Sequence, residues 1–212
     1  MLLWWGVGCL VAATALGAIV VLGFADTPAF DRWWNTAVAD QRAPWVIGFA
    51  QVMNFAGGSR GTIFILAPLL IVALLLTRRW RSALFAATAM LASALAVQAL
   101  KHLFGRARPA DMLVASDYGS FPSGHVANAA TIAVVVWVIF PRAWTALLGA
   151  LWVLGMAYSR TLLSVHWATD TLGGALAGAG TVLLIAALLS DWVQGRNPPP
   201  KPPIGWKAAR PS

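Results

Sequence analysis

Apolar runs close to the length that an α-helix needs to cross a bilayer occupy most of this chain. A hydrocarbon core of ~30 Å requires about 20 such residues. Six runs meet or approach that length: Leu2–Phe24, Ser59–Thr77, Ser82–Leu100, Gly124–Phe140, Trp144–Leu163 and Asp170–Leu189. They predict an all-α polytopic membrane protein with six transmembrane helices. Charge agrees, since Asp, Glu, Lys and Arg make up only 10% of the chain, against about 25% in soluble domains. A water-soluble domain is therefore a poor fit, and so is disorder, which needs low hydrophobicity and high charge.

The single cysteine, Cys9, supports neither a disulfide framework nor a thiolate metal site. The net charge of +8 could suggest nucleic acid. A nucleic-acid reader, however, gathers its cations on one polar face, whereas here they punctuate apolar runs. No nucleic-acid partner is expected. The first run lacks a basic leading region and exceeds the ~7–15 apolar residues of a signal peptide, so it reads as a span.

Between the first two spans lies Ala25–Gly58, where Phe30, Trp33, Trp34 and Val38 recur at helical spacing among Asp31, Arg32 and Asp40. An interfacial helix fits that pattern. Residues 1–195 thus read as one six-helix membrane domain with an outer connector at 25–58, and residues 196–212 as a flexible, Pro/Lys-rich cytoplasmic tail. The run Asn197-Pro198-Pro199-Pro200 cannot continue a helix.

Six spans put both termini on one side of the cell membrane. With the termini inside, the inner segments carry Arg78, Arg79, Arg81, Arg142, Arg196, Lys201, Lys207 and Arg210, and the outer ones Arg32, Arg42, Arg60, Lys101, Arg106, Arg108 and Arg160. The expected inner excess of Lys and Arg emerges only when Lys101, Arg108 and Arg160 are set aside as chemistry. Tryptophans fall at the same span ends, Trp4, Trp5, Trp80, Trp144 and Trp192 inside, Trp33, Trp34, Trp45 and Trp167 at the outer face.

Three polar clusters share that outer face: Lys101-His102-Leu103-Phe104-Gly105-Arg106-Ala107-Arg108-Pro109, then Phe121-Pro122-Ser123-Gly124-His125, then Ser159-Arg160 through His166 to Asp170. Ionisable groups at membrane depth are costly and mark function by default. A phosphate monoester or diphosphate explains their convergence, because several anionic oxygens in a partly dry site need cations and backbone donors. Lys101, Arg108 and Arg160 supply the cations. Pro122 suits the first turn of a helix whose free amides, at Ser123, Gly124 and His125, would face an anion. His166 and Asp170 are spaced to share a helix face. A carboxylate that fixes one imidazole nitrogen leaves the other free to attack, while His125 protonates the departing alkoxide. His102 receives no role, and Arg106 is evenly divided between phosphate contact and headgroup anchor. Gly173, Gly174, Gly178 and Gly180 read as small-residue helix packing.

Lys101 followed by six residues and Arg108-Pro109, then Pro122-Ser123-Gly124-His125, then Ser159-Arg160 with His166 and Asp170, resembles the type 2 phosphatidic acid phosphatase superfamily. The resemblance is to its bacterial membrane branch, which acts on undecaprenyl diphosphate, phosphatidylglycerophosphate and phosphatidate. It implies His166 as the nucleophile of a phosphohistidine intermediate, oriented by Asp170, with His125 as the acid. It implies Lys101, Arg108, Arg160, Ser123 and Gly124 as the phosphate cradle, and neither metal nor cofactor. The expected activity is hydrolysis of a lipid phosphate monoester or diphosphate at the outer face, undecaprenyl diphosphate being favoured. A lipid phosphotransferase with the same residues is the alternative, and a small lipid transporter or flippase a more distant one. The expected partners are the lipid substrate and membrane lipids.

Overall fold

The computed structural model describes residues 1–24 and 26–193. The proline-rich tail expected at 196–212, and with it Arg196, Lys201, Lys207 and Arg210, lies outside the described residues, as does the side chain of Trp192. Every regular element among the described residues is helical. They run α1 (Leu2–Leu22), α2 (Ala29–Ala39), α3 (Pro44–Gly57), the short α4 (Ser59–Gly61), a π-helical stretch over Thr62–Leu66, α5 (Ala67–Leu76), α6 (Trp80–Phe104), α7 (Gly124–Ile139), α8 (Ala143–Leu162) and α9 (Ala168–Val193).

Leu2–Leu22, Trp80–Phe104 and Ala168–Leu189 are long and apolar enough to cross a membrane singly, and the bent pair Pro44–Gly57 with Thr62–Leu76 makes a fourth if it is one span. Large apolar side chains remain exposed on the outer faces of the helices, including Leu69, Leu95, Leu151 and Leu188. Water would penalise such a surface and lipid would not. The chain is a multi-pass membrane protein.

The connector between the first two apolar runs holds two helices, α2 over the stretch where one was expected and α3 beyond it. In α2, Asp31 and Val38 are buried while Phe30 and Trp33 face outward, and α3 buries Val46, Ala50, Met53 and Gly57. The run expected at Ser59–Thr77 is helical through α4, the π-helical stretch and α5. It continues α3 across a break with a 56° bend. Glycine at 57, 58 and 61 weakens the helix here. Farther on, Pro68 has no amide to offer the carbonyl four residues back and its ring crowds that carbonyl, which the π-helical turn over Thr62–Leu66 accommodates. The fourth expected run forms a helix of 16 residues, about 24 Å at 1.5 Å per residue.

Helices α7 and α9 form the centre. A cluster of Leu74, Phe85, Ala86, Ala89, Val135 and Val182 joins α5, α6, α7 and α9, and Met53, Val126, Ala129 and Met156 join α3, α7 and α8. Thr131 donates to Ser93 at 2.7 Å, stitching α7 to α6 inside the core. Lipid offers little hydrophobic drive for helix association, so close backbone approach through small residues does much of the packing. A Cβ added at Gly174 or Gly178 would strike the backbone of Ser123 or Ala127 in α7, and one at Gly6 the backbone of α9 at Leu184.

Gly178→Leu should therefore destabilise the protein by about 2–3 kcal/mol, the usual cost of overpacking. Gly8→Leu, where nothing lies within 4 Å, should not. Thermal unfolding of both variants in detergent checks this, and equal melting points would refute the packing account.

Candidate active site

The last turn of α6 carries Lys101, and the helix then stops at Gly105, whose left-handed φ of 53° suits glycine. The chain from there to α7 is held by backbone bonds: Ser120 N–H to Arg106 O at 2.8 Å, Leu113 N–H to Leu163 O at 3.0 Å and Ser123 N–H to Asp170 O at 2.9 Å. A buried cluster of Val38, Val46, Leu162, Leu163 and Val165 fixes the segment between α8 and α9 against α2 and α3. Rigid packing thus presents His166.

The three polar clusters meet at one cavity of about 650 Å³, lined at its polar end by Lys101, Asp117, Gly124, His125, Arg160 and His166. Arg108 reaches the same place, its Nη1 lying 3.4 Å from His166 Nε2. The other end is apolar, with Ile63, Ile71, Ala87, Leu91 and Ala94. Ala87, Leu91, Ala94, Gln98 and Lys101 follow one stripe of α6, so the cavity extends about 21 Å along that helix at 1.5 Å per residue.

His166 is 2% exposed. Its Nδ1 lies 2.7 Å from the carbonyl of Ser120, and a carbonyl only accepts, so Nδ1 carries the proton and Nε2 keeps its lone pair. Burial first, then the cations of Arg108, Arg160 and Lys101, push the imidazolium well below the usual histidine range, with the Ser120 bond opposing them. The ring is neutral at neutral pH. Here the structure departs from the expected His166–Asp170 bond. Asp170 Oδ2 stands 3.7 Å from Nδ1 and instead accepts from the Trp167 amide at 2.8 Å. The four-residue spacing anticipated neighbours, but α9 begins only at Ala168, so His166 sits on a loop and turns its Nδ1 to a carbonyl.

Arg106 is neither a phosphate contact nor a headgroup anchor. Buried at 8% exposure, it donates to Asp170 Oδ1 at 2.5 Å, Thr169 Oγ1 at 2.8 Å and Asp31 Oδ2 at 2.7 Å. Pro122 also differs from expectation: it precedes the N-cap Ser123, and α7 begins at Gly124. Because the Ser123 amide is spent on Asp170 O, the donors left without an intrahelical acceptor start at Gly124 and His125. Two buried polar atoms have no partner in the same neighbourhood, Ser123 Oγ and Arg160 Nε. Such groups are expensive to leave unmade, and an anion would satisfy them.

Asn54 was not anticipated. Its Oδ1 accepts from Arg160 Nη1 at 2.5 Å, and its carbonyl lies 3.1 Å from His125 Nε2. Asn128 closes the same break by donating to Gly57 O at 3.0 Å. The broken end of α3 is thus one wall of the site. A lone polar residue in the apolar stretch Val52-Met53-Asn54-Phe55 was the available signal.

Residues 82–194 match the model of the PAP2 superfamily. A lipid A 4'-phosphatase from Bacteroides thetaiotaomicron is 30% identical over 90 residues, which span 41% of this chain and 40% of that protein. Among solved structures, the first transmembrane PAP2 type phosphatidylglycerolphosphate phosphatase from Bacillus subtilis superposes with a TM-score of 0.77 at 23% identity, covering 89% of this chain and 97% of its own. Aquifex aeolicus LpxE superposes with a TM-score of 0.62 at 24% identity, covering 72% and 92%. These two likenesses show a shared fold.

Proposed function

The chain belongs to the PAP2 superfamily, and from that premise we propose that it is an integral-membrane lipid phosphatase working through a phosphohistidine intermediate. The observation that carries this reading is the single cavity in which one end gathers Lys101, His125, Arg160 and His166 while the other is apolar. A headgroup phosphate fits the first end and a hydrocarbon tail the second.

In the proposed reaction Lys101, Arg108 and Arg160, with the free amides of Gly124 and His125 and the hydroxyl of Ser123, hold the phosphoryl oxygens. The Nε2 lone pair of His166 attacks the terminal phosphorus, and the bond from that phosphorus to its leaving oxygen breaks, the ester oxygen in a monoester and the bridging oxygen in a diphosphate. His125 donates the proton that the leaving oxygen needs. Water then attacks the phosphohistidine and gives a proton back to His125, the P–N bond breaks, and phosphate leaves as the imidazole of His166 is restored. Asp170 acts at one remove, bonding the Trp167 amide beside His166.

The proposal includes six crossings with both termini in the cytoplasm and the cavity's polar end at the outer face. That arrangement is supported by helices at all six apolar runs and by the bias of basic residues once the cradle is set aside. Within it a lipid enters sideways, its tail never leaving hydrocarbon. The cavity's extent of about 21 Å along α6, phosphate end included, leaves an apolar length that suits a lipid tail. Undecaprenyl diphosphate is the favoured substrate, with phosphatidylglycerophosphate and phosphatidate as the other two members of the set. The test is phosphate release by the detergent-purified protein from a panel of prenyl, glycerol and sphingoid lipid phosphates. We expect release from at least one lipid and little from a water-soluble ester. No release from any lipid would refute the reading.

A further inference from the structure

Asp117 is the acidic side chain in the described lining of the cavity, and it occupies the cations. Its Oδ1 accepts from Arg108 Nη2 at 2.7 Å and lies 3.4 Å from Lys101 Nζ. Both partners are largely buried, with side chains 8% and 4% exposed, whereas the Asp117 side chain is 63% exposed. A carboxylate therefore reaches in from the rim to the donors that a phosphoryl group would use.

The loop does not depend on that carboxylate for its place. Lys101 Nζ donates to Gly119 O at 2.8 Å, and Arg108 donates to Asp117 O at 3.0 Å and Gly119 O at 2.7 Å, all backbone acceptors. The rings of His102 and Tyr118 stack at 5.9 Å beside it. The Asp117 side chain can swing outward while its backbone stays. Burial raises the carboxyl, but Lys101 and Arg108 outweigh it and hold Asp117 below the usual carboxylate range, so the group is an anion at neutral pH.

We propose that Asp117 is the resident counter-anion of the cradle: it neutralises Lys101 and Arg108 in the empty site, leaves when a phosphoryl group binds, and returns to displace inorganic phosphate. This rests on the reading of Lys101, Arg108 and Arg160 as the phosphate cradle. An internal competitor multiplies the apparent dissociation constant of every anion that needs its place. The site thereby gives up affinity for phosphate and gains release of product, and weakly held anions are kept out of an empty cradle.

The experiment is titration of inorganic phosphate into the full-length, detergent-solubilised protein by calorimetry, at fixed ionic strength, for wild type, Asp117→Asn, Asp117→Ser, Asp117→Glu and Arg160→Gln. Asp117→Asn and Asp117→Ser should each bind phosphate roughly threefold to tenfold more tightly, the scale of a part-exposed ion pair with two cations, and Asp117→Glu should stay near wild type. The gain should shrink as salt is raised. If Arg160→Gln abolishes binding while Asp117→Asn leaves it unchanged or weaker, the cradle stands and the counter-anion is refuted. If binding is indifferent to Arg160→Gln, both are refuted.

Discussion

Replacing His166 with alanine should cut phosphate release by roughly a thousandfold or more, because His125, the other imidazole lining the cavity, has its Nε2 against the Asn54 carbonyl at 3.1 Å. The Ser120 carbonyl accepts a hydrogen bond from Nδ1–H, which leaves Nε2 as the nitrogen with a lone pair for the proposed attack. Burial beside three cations keeps that nitrogen unprotonated at neutral pH. Those cations would be neutralised by a bound phosphoryl group, so a neutral nucleophile and a cationic cradle can share a small volume without conflict. The substitution also leaves the Ser120 carbonyl without a partner, at a cost of about 1–3 kcal/mol, and a stability effect must be separated from a chemical one. Calorimetric binding of phosphate does so: His166→Ala should still bind it through Lys101, Arg108 and Arg160. A radiolabelled phosphoryl group should be trapped on wild type by rapid quench at high pH and not on His166→Ala. Turnover by His166→Ala within tenfold of wild type would rule out the nucleophile.

What the chain revealed in advance, and what it hid, follows from which atoms do the work. Lys101, Arg108, His125, Arg160 and His166 use side chains, sit next to apolar runs and stand out as charges at membrane depth. Their convergence on one cavity was legible for that reason. Ser120 and Asn54 meet the two histidines through backbone carbonyls, which every residue owns, so only the side-chain bond of Asn54 to Arg160 had a residue type to mark it. Arg106, divided between phosphate contact and headgroup anchor, and Asp31, a polar residue of an interfacial helix, give no sign in the sequence that they pair. Only folding brings α2 against the segment before α9 and gives the arginine two carboxylates. The break between α3 and α5 carries Gly57, Gly58 and Gly61, and hydropathy placed the start of a crossing there, at Ser59, without showing that α3 leads into it at a 56° bend.

The second large effect concerns stability, and its target is Arg106. Asp31 and Asp170 are each 0% exposed, and the guanidinium bridges them, at 2.7 Å to one and 2.5 Å to the other. Thr169 adds an amide at 3.0 Å and a hydroxyl at 2.6 Å to Asp31, so the group ties α2, the α6–α7 connection and the start of α9 into one buried network. Arg106→Ala would strand two buried carboxylates, and breaking such a pair by removing one partner costs about 3–5 kcal/mol. For a chain of this size the melting point should fall by on the order of 10 °C. Arg106→Lys should recover only part of the loss, since an ammonium lacks the planar fork that engages both acids. Asp31→Asn should cost less than Arg106→Ala, because Asp170 keeps its arginine. Activity should fall with stability, for Asp170 also holds the Trp167 amide beside His166. Thermal unfolding in detergent, read together with the double variant Asp31→Asn/Arg106→Ala, gives the coupling energy directly. A melting point for Arg106→Ala within two or three degrees of wild type would mean that the network contributes nothing to the fold, and that the arginine must be explained by contact with substrate after all.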